Sequence, residues 1–306
     1  MKEIIKKIYD ECTQYAKLGQ VADYIPELAK VDKNLFGACI VTNNGDIYGV
    51  GDYQYKFSIQ SVSKISILIQ AMIDNGWDEL EKKVTFEPTS SGFNSITNLE
   101  IKNDHRPLNP CLNAGAIVTV SFIKGNNAEE KVTRLLKLIK AMTGNDDIKI
   151  NQAVFESEKA TGSRNRALAY FMHSTGTLEG NVEEILKAYF MICSIEVTCE
   201  DLAKIALTIA NNGTNRNGEN LFDAGIARKV RTVMALCGMY NESGDFAIRV
   251  GMPSKSGVGG GIMSVSLKNG GMGVATFGPS LDKIGNSYCG KKFMAKLSTE
   301  LDLSIF

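Results

Sequence analysis

Two residues three apart at a strand-to-helix junction carry the strongest chemical signal, Ser61 and Lys64, within YKFSIQSVSKISILIQAM at 55–72. A hydroxyl with an amine one helical turn away reads as a nucleophile with its base, or as a capped helix start beside a snorkelling lysine. Serine is a favoured N-cap, but a capping box asks for Glu or Gln three residues on. Lys64 stands there instead, a cation in a first turn whose dipole disfavours it. Ile65, Leu68, Ile69 and Met72 form an apolar stripe, Ser61 is in line with it, and Lys64 is about a quarter-turn away or less. Both polar side chains therefore lean inward. A buried lysine is costly unless it is neutral or paired, and a pKa lowered by roughly three units from about 10.4 makes it a base at neutral pH. The first N–H groups of the helix are in turn suited to an oxyanion. Because Ser121–Lys124 and Ser280–Lys283 repeat the same spacing, the tetrad alone leaves both readings open.

A second motif, Lys255-Ser256-Gly257, lies in PSKSGVGGGIM at 253–263. Taken alone it reads as a Gly-rich turn between strands. Beside a Ser-x-x-Lys pair it has another reading, the Lys-Thr/Ser-Gly edge strand that faces the nucleophile in acyl-transfer enzymes. Its order and spacing match no phosphate-binding loop.

The elements that must position these groups follow from periodicity. Residues 1–18 have the spacing of an amphipathic helix, and LFGACIVTNNGDIYGVGD reads as a β-hairpin. From about 78 to 245 the pattern is largely helical, with polar caps before EEKVTRLLKLIKAMTG, NVEEILKAYFMICS and CEDLAKIALTIANNG. FAIRVGMP, GGIMSVSLKNG and GMGVATFGP read as short strands, and IGNSYCGKKFMAKLSTELDL as a closing helix. The expectation is an α/β (α+β) fold in which both termini build one antiparallel sheet flanked by helices. A sheet lobe of about 1–77 and 246–306 then carries an inserted helical lobe of about 78–245, in one catalytic unit.

Composition narrows the function classes. The 306 residues hold 34 basic and 34 acidic side chains, a net charge of +0, which argues against a nucleic-acid or polybasic membrane surface. The charged opening MKEIIKKIYDECTQYAKLG does not read as a signal peptide, and no run reaches the roughly 18 apolar residues of a membrane span. Seven scattered cysteines without a CxxC read as reduced thiols of a cytoplasmic protein. Only His105 and His173 are present, neither at metal-ligand spacing, so a His-rich metal site is not expected. Acyl transfer by a Ser-Lys pair requires neither a metal nor an organic cofactor, and none is expected.

Together these motifs resemble the serine-dependent glutaminases, bacterial and kidney-type, which have the β-lactamase/transpeptidase-like fold. The resemblance runs through GQVADYIPELAKVD, QSVSK, NPCLNAGAI, SEKATGSRNRALAYFM, AYFMICSIEVTCEDLA, CGMYNESGDFAIRVGMPSKSGVGGGI and SLDKIGNSYCG, in order. It implies hydrolysis of L-glutamine to L-glutamate and ammonia, with Ser61 as nucleophile and Lys64 as base partner. It implies Tyr24 and Tyr240 as active-site tyrosines and Asn113, Glu158, Asn165 and Tyr189 as substrate contacts. Val258 matches a backbone contact, and a homo-oligomer, dimer or tetramer, is implied. Without the resemblance, each tyrosine reads as a core aromatic, the asparagines as turn or cap residues, and Glu158 as a solvated helix charge. Two other readings share the Ser-x-x-Lys pair: a penicillin-binding protein or β-lactamase, and a silent glutamine-binding module.

Overall fold

The computed structural model describes residues 1–101 and 103–306. The expected hairpin forms: β1 (Gly37–Thr42) and β2 (Ile47–Gly51) pair antiparallel, with Ala38 opposite Val50. From the other end of the chain come β5 (Ser254–Ser256), β6 (Gly261–Ser266) and β7 (Met272–Phe277). The strand order is β2-β1-β7-β6-β5, antiparallel throughout, so β7 at the centre joins the two termini. The Lys-Ser-Gly motif starts on β5, an edge strand, and not in the turn before one. A second ladder of two residues pairs β3 (Phe57–Ser58) with β4 (Glu196–Val197).

Both sheet faces are covered, which explains why these strands read as apolar runs. Alternate side chains go to opposite faces. Ala38 and Ile40 of β1 and Val274 of β7 pack with Ile5, Ile8, Phe293 and Leu297. Those four come from α1 (Lys2–Cys12) and α13 (Tyr288–Leu301). Cys39, Val41 and Ala275 face the other core, beneath α10 (Cys199–Ala210).

The helix of the Ser-x-x-Lys junction is α2 (Ser63–Asn75). It is buried on every side rather than along one stripe, with Ser66, Ile67 and Gln70 as enclosed as Ile65 and Leu68. Short helices α3 (Trp77–Glu81) and α4 (Thr97–Ile101) follow, then α5 (Asn113–Ser121) and α6 (Ala128–Thr143). Next come α7 (Gln152–Thr161), α8 (Ser163–Ser174), α9 (Val182–Cys193) and α11 (Ala224–Cys237). Asn127 caps α6, Asn181 caps α9, and Thr198 with Asp201 closes a capping box on α10.

One expectation is corrected. FAIRVGMP is not a strand, because α12 (Ser243–Arg249) takes its first half. The run is short enough to suit either period. Phe246 and Val250, four apart, are both buried against the α1/α13 core, Ile248 between them is 87% exposed, and Asp245 pairs with Arg249 at 2.8 Å. Helical spacing satisfies all three.

The helix α10 meets the sheet where β7 has no side chain. A Cβ at Gly273 would lie 1.8 Å from the Ala203 carbonyl oxygen and 2.6 Å from the Leu207 nitrogen, both in the α10 backbone. Gly273→Ala is therefore expected to cost roughly 3 kcal/mol through overpacking. Urea unfolding measures it, and a midpoint equal to wild type would contradict this packing.

Candidate active site

Ser61 sits in a single 3-10 turn, Gln60–Val62, wedged between β3 and α2. The junction is pinned to the end of α9. Ser58 Oγ donates to the Cys193 carbonyl at 2.8 Å and the Ile59 N–H to the Ile195 carbonyl at 2.8 Å. Gln60 enters the turn with φ +47°, a left-handed conformation that costs a non-glycine residue about 1–3 kcal/mol. Ser61 does not cap α2, which has no side-chain cap, and the local hydroxyl bond is instead Ser63 Oγ to the Gln60 carbonyl at 2.7 Å.

Lys64 is 1% exposed. Its Nζ donates to the Cys111 carbonyl at 3.0 Å and to Asn113 Oδ1 at 2.8 Å. The loop carrying Cys111 is set by Asn109 Oδ1, which accepts from the N–H groups of Cys111 and Leu112. Burial first, then the like charge of Lys255, lowers Lys64 to about 7. A neutral amine has two N–H bonds and one lone pair; with both N–H bonds engaged, the lone pair is left to accept a proton. Lys255 is itself fully buried on β5, where burial lowers it to about 8. Its Nζ donates to the Ser256 carbonyl and stands 4.6 Å from the centre of the Tyr240 ring.

Tyr240 also has a left-handed backbone, φ +55°. Burial raises its phenol, while the neighbouring hydroxyls of Ser61 and Ser256 pull the other way. Neither neighbour is aligned as a hydrogen bond, so the Tyr240 hydroxyl and Ser256 Oγ are buried without partners. Val258 follows the motif in the β5–β6 loop. A Cβ on the adjoining Gly257 would lie 3.2 Å from the Ser61 nitrogen, so this loop runs against the Ser61 turn.

In front of Ser61 is a cavity of about 90 Å³. Of the nine candidates, Tyr24, Ser61, Asn113, Glu158, Asn165 and Tyr189 line it, and Lys64, Tyr240 and Val258 do not. Glu158 on α7 is 7% exposed, and burial raises it to about 7 against the opposing pull of Gln60 and Lys64. Asn113, the first residue of α5, donates through Nδ2 to Asn165 Oδ1 at 2.9 Å. Tyr189 on α9 is buried, and its phenol is raised well above 10. Tyr24 differs: its residue surface is 53% exposed, yet desolvation, then Tyr240 and Glu158, raise its phenol.

A family model for glutaminases matches residues 19–306. The chain belongs to the glutaminase family. Among glutaminases, the Clostridium tetani enzyme is 53% identical and a Clostridium botulinum enzyme 52%, each over the whole of both chains. The solved covalent complex of a Bacillus subtilis glutaminase with 5-oxo-L-norleucine is 35% identical with a TM-score of 0.92, covering 100% of this chain and 99% of that one. The protein is thus an enzyme of the glutaminase family with the β-lactamase-like fold of its bacterial members. No helix among the described residues is long and apolar enough to cross a membrane.

Eight further lining residues of this glutaminase cavity were not singled out from the sequence, among them Gln60, Phe93, Arg164 and Cys193. Of these four, three had a local signal. Gln60 and Arg164 adjoin Ser61 and Asn165, and Cys193 is one helical turn beyond Tyr189. Phe93 had none, since it lies in a loop before α4.

Proposed function

We propose that the protein hydrolyses L-glutamine to L-glutamate and ammonia through a glutamyl ester on Ser61. The observation that carries this reading is Lys64, a buried amine near neutrality with both N–H bonds occupied, one turn from an uncapped serine at a cavity floor. Neutral Lys64 takes the Ser61 proton, directly or through Tyr240, as Ser61 Oγ attacks the γ-carboxamide carbon. The oxyanion is met by the backbone N–H groups of Ser61 and Val258, each such donor worth about 3 kcal/mol. On collapse the C–N bond breaks, the proton held by Lys64 passes to nitrogen, and ammonia leaves. Water then gives a proton to Lys64 and attacks the ester, and Ser61 recovers its hydrogen as glutamate departs.

Substrate polarity suits the walls. Glu158, as an anion, pairs with the α-ammonium; Asn113, Asn165 and Tyr189 serve the α-carboxylate, and Tyr24 closes the mouth. The covalent adduct of the Bacillus subtilis relative supports a nucleophile in such a pocket. The same reading takes residues 1–306 as one catalytic unit, with a sheet lobe of about 1–77 and 246–306 and a helical lobe of about 78–245. It makes the protein cytoplasmic, in keeping with seven free, buried cysteines, and a dimer or tetramer, which sedimentation tests.

Ammonia release from glutamine and asparagine tests the reaction, and mass spectrometry after 6-diazo-5-oxo-L-norleucine tests the attachment at Ser61. Glu158→Gln is expected to raise KM for glutamine about 10- to 100-fold with kcat within about threefold, because a charged hydrogen bond contributes about 1.5–3 kcal/mol. An unchanged KM removes Glu158 from the substrate site.

A further inference from the structure

The block SLDKIGNSYCG has no part in the chemistry above, yet it touches three elements that do. In the turn at 280–287, Asp282 Oδ1 accepts from the N–H groups of Ile284, Gly285 and Asn286 at 2.9, 3.0 and 3.0 Å. On one side Leu281 bridges Gln20 through two backbone bonds, 2.8 and 3.1 Å. Ser280 Oγ donates to the Ala16 carbonyl at 2.6 Å and accepts from the Gly19 N–H, so the segment leading to Tyr24 is fastened here. On another side Asn286 Nδ2 donates to Glu242 Oε2 at 2.6 Å and to the Met239 carbonyl at 3.5 Å, residues that flank Tyr240. Lys291 joins the two sides, bonding Asp282 and both carboxylate oxygens of Glu242, the latter at 2.9 and 2.8 Å. Gly285 packs against the third element: a Cβ there would lie 3.2 Å from a Val258 methyl and 3.7 Å from the Tyr240 ring. Leu281, Tyr240 and Val258 share one apolar cluster.

We propose that the turn at 280–287, locked by Asp282 and Lys291, is a positioning brace that holds Tyr240, Val258 and the Tyr24 segment in register around Ser61. The left-handed backbone of Tyr240 is strained for a non-glycine residue and persists only where its surroundings hold it; Ser243 Oγ holds it locally, and the brace adds the tertiary constraint. The catalytic consequence rests on the glutamine-hydrolysis reading; the mechanical one does not.

Lys291→Met in the full chain tests it, with Arg134→Met as a control. Arg134 pairs with the buried Asp74 at the far end of α2, about 15 Å along the helix from Lys64. In Lys291→Met, amide deuterium exchange at 238–243 and 256–260 is expected to quicken about tenfold or more. Glutamine kcat is expected to fall about 10- to 100-fold with KM within about threefold, and Lys291→Arg to recover most of it. Arg134→Met is expected to leave both segments and kcat near wild type. Unchanged exchange in Lys291→Met, or equal acceleration in the control, overturns the brace. If Lys291→Met does not fold, Gly285→Ala is read by the same exchange measurement, since φ +106° and the neighbouring contacts both oppose its methyl. Wild-type protein that releases no ammonia would sink the glutamine reading, while the exchange data would still decide the brace.

Discussion

Ser61→Ala is expected to lower glutamine turnover at least 10³-fold, about 4 kcal/mol in the barrier, while leaving the fold unchanged. The hydroxyl caps no helix, so its removal takes away no structural bond. The side chain lies at the floor of the cavity with a surface 8% exposed, and a methyl group fits the space it leaves. Activity and stability should therefore separate: ammonia release lost, urea midpoint kept, glutamine still able to enter. Turnover above a few per cent of wild type would remove Ser61 as nucleophile. A collapse of stability would instead assign it a structural role.

Lys64→Met is expected to lower turnover about 10²- to 10⁴-fold, the range of a lost general base. Its stability effect is a balance. Replacing a buried amine by an apolar chain of similar length relieves desolvation, but the Cys111 carbonyl and Asn113 Oδ1 lose a donor, at about 1–3 kcal/mol each. The pH profile is the finer measurement. Lys64 is lowered to about 7 and must be neutral to accept the serine proton, so activity rises as pH passes upward through that value. Glu158 is raised to about 7 and must be ionised to hold an ammonium, so it acts in the same direction. The two groups interact, and the limb belongs to the pair. In the wild type, kcat/KM is expected to climb steeply below about pH 7 and level off above about pH 8. Glu158→Gln should make the climb shallower without abolishing it. A profile flat from pH 6 to 8 would contradict a lysine base.

Beyond burial, the lowering of Lys64 owes something to a like charge. Lys64 and Lys255 come from the two ends of the sequence that build the sheet, 191 positions apart, and both are buried. Burial lowers both, Lys255 makes Lys64 harder to charge, and the carbonyls of Cys111 and Ser256 accept from their amines. An amine so placed, lowered by burial and by Lys255 against the opposing pull of Glu158, is suited to act as a base near neutral pH.

Local order left its record in the sequence. The hairpin at β1 and β2, the helix caps at Asn127, Asn181 and Thr198, and the inward lean of Ser61 and Lys64 follow from spacing and from residue types that satisfy nearby backbone groups. Those are properties of neighbours along the chain. The choice between helix and strand at Phe246–Val250 was not legible, because five residues suit both periods and the core under α12 makes the selection. Nor was the burial of α2 on all sides, which depends on helices from far along the sequence. Folding alone brings Lys255 to Tyr240, Asn113 to Lys64, and Glu158 to the cavity, since contacts between distant residues leave no periodic trace. The chain's own pattern thus specified which residues had chemistry to offer and how each lay on its element. Tertiary packing lowers the lysine, by removing water and bringing Lys255 close, and so gives a serine and a lysine one turn apart the environment that the proposed nucleophile and base require.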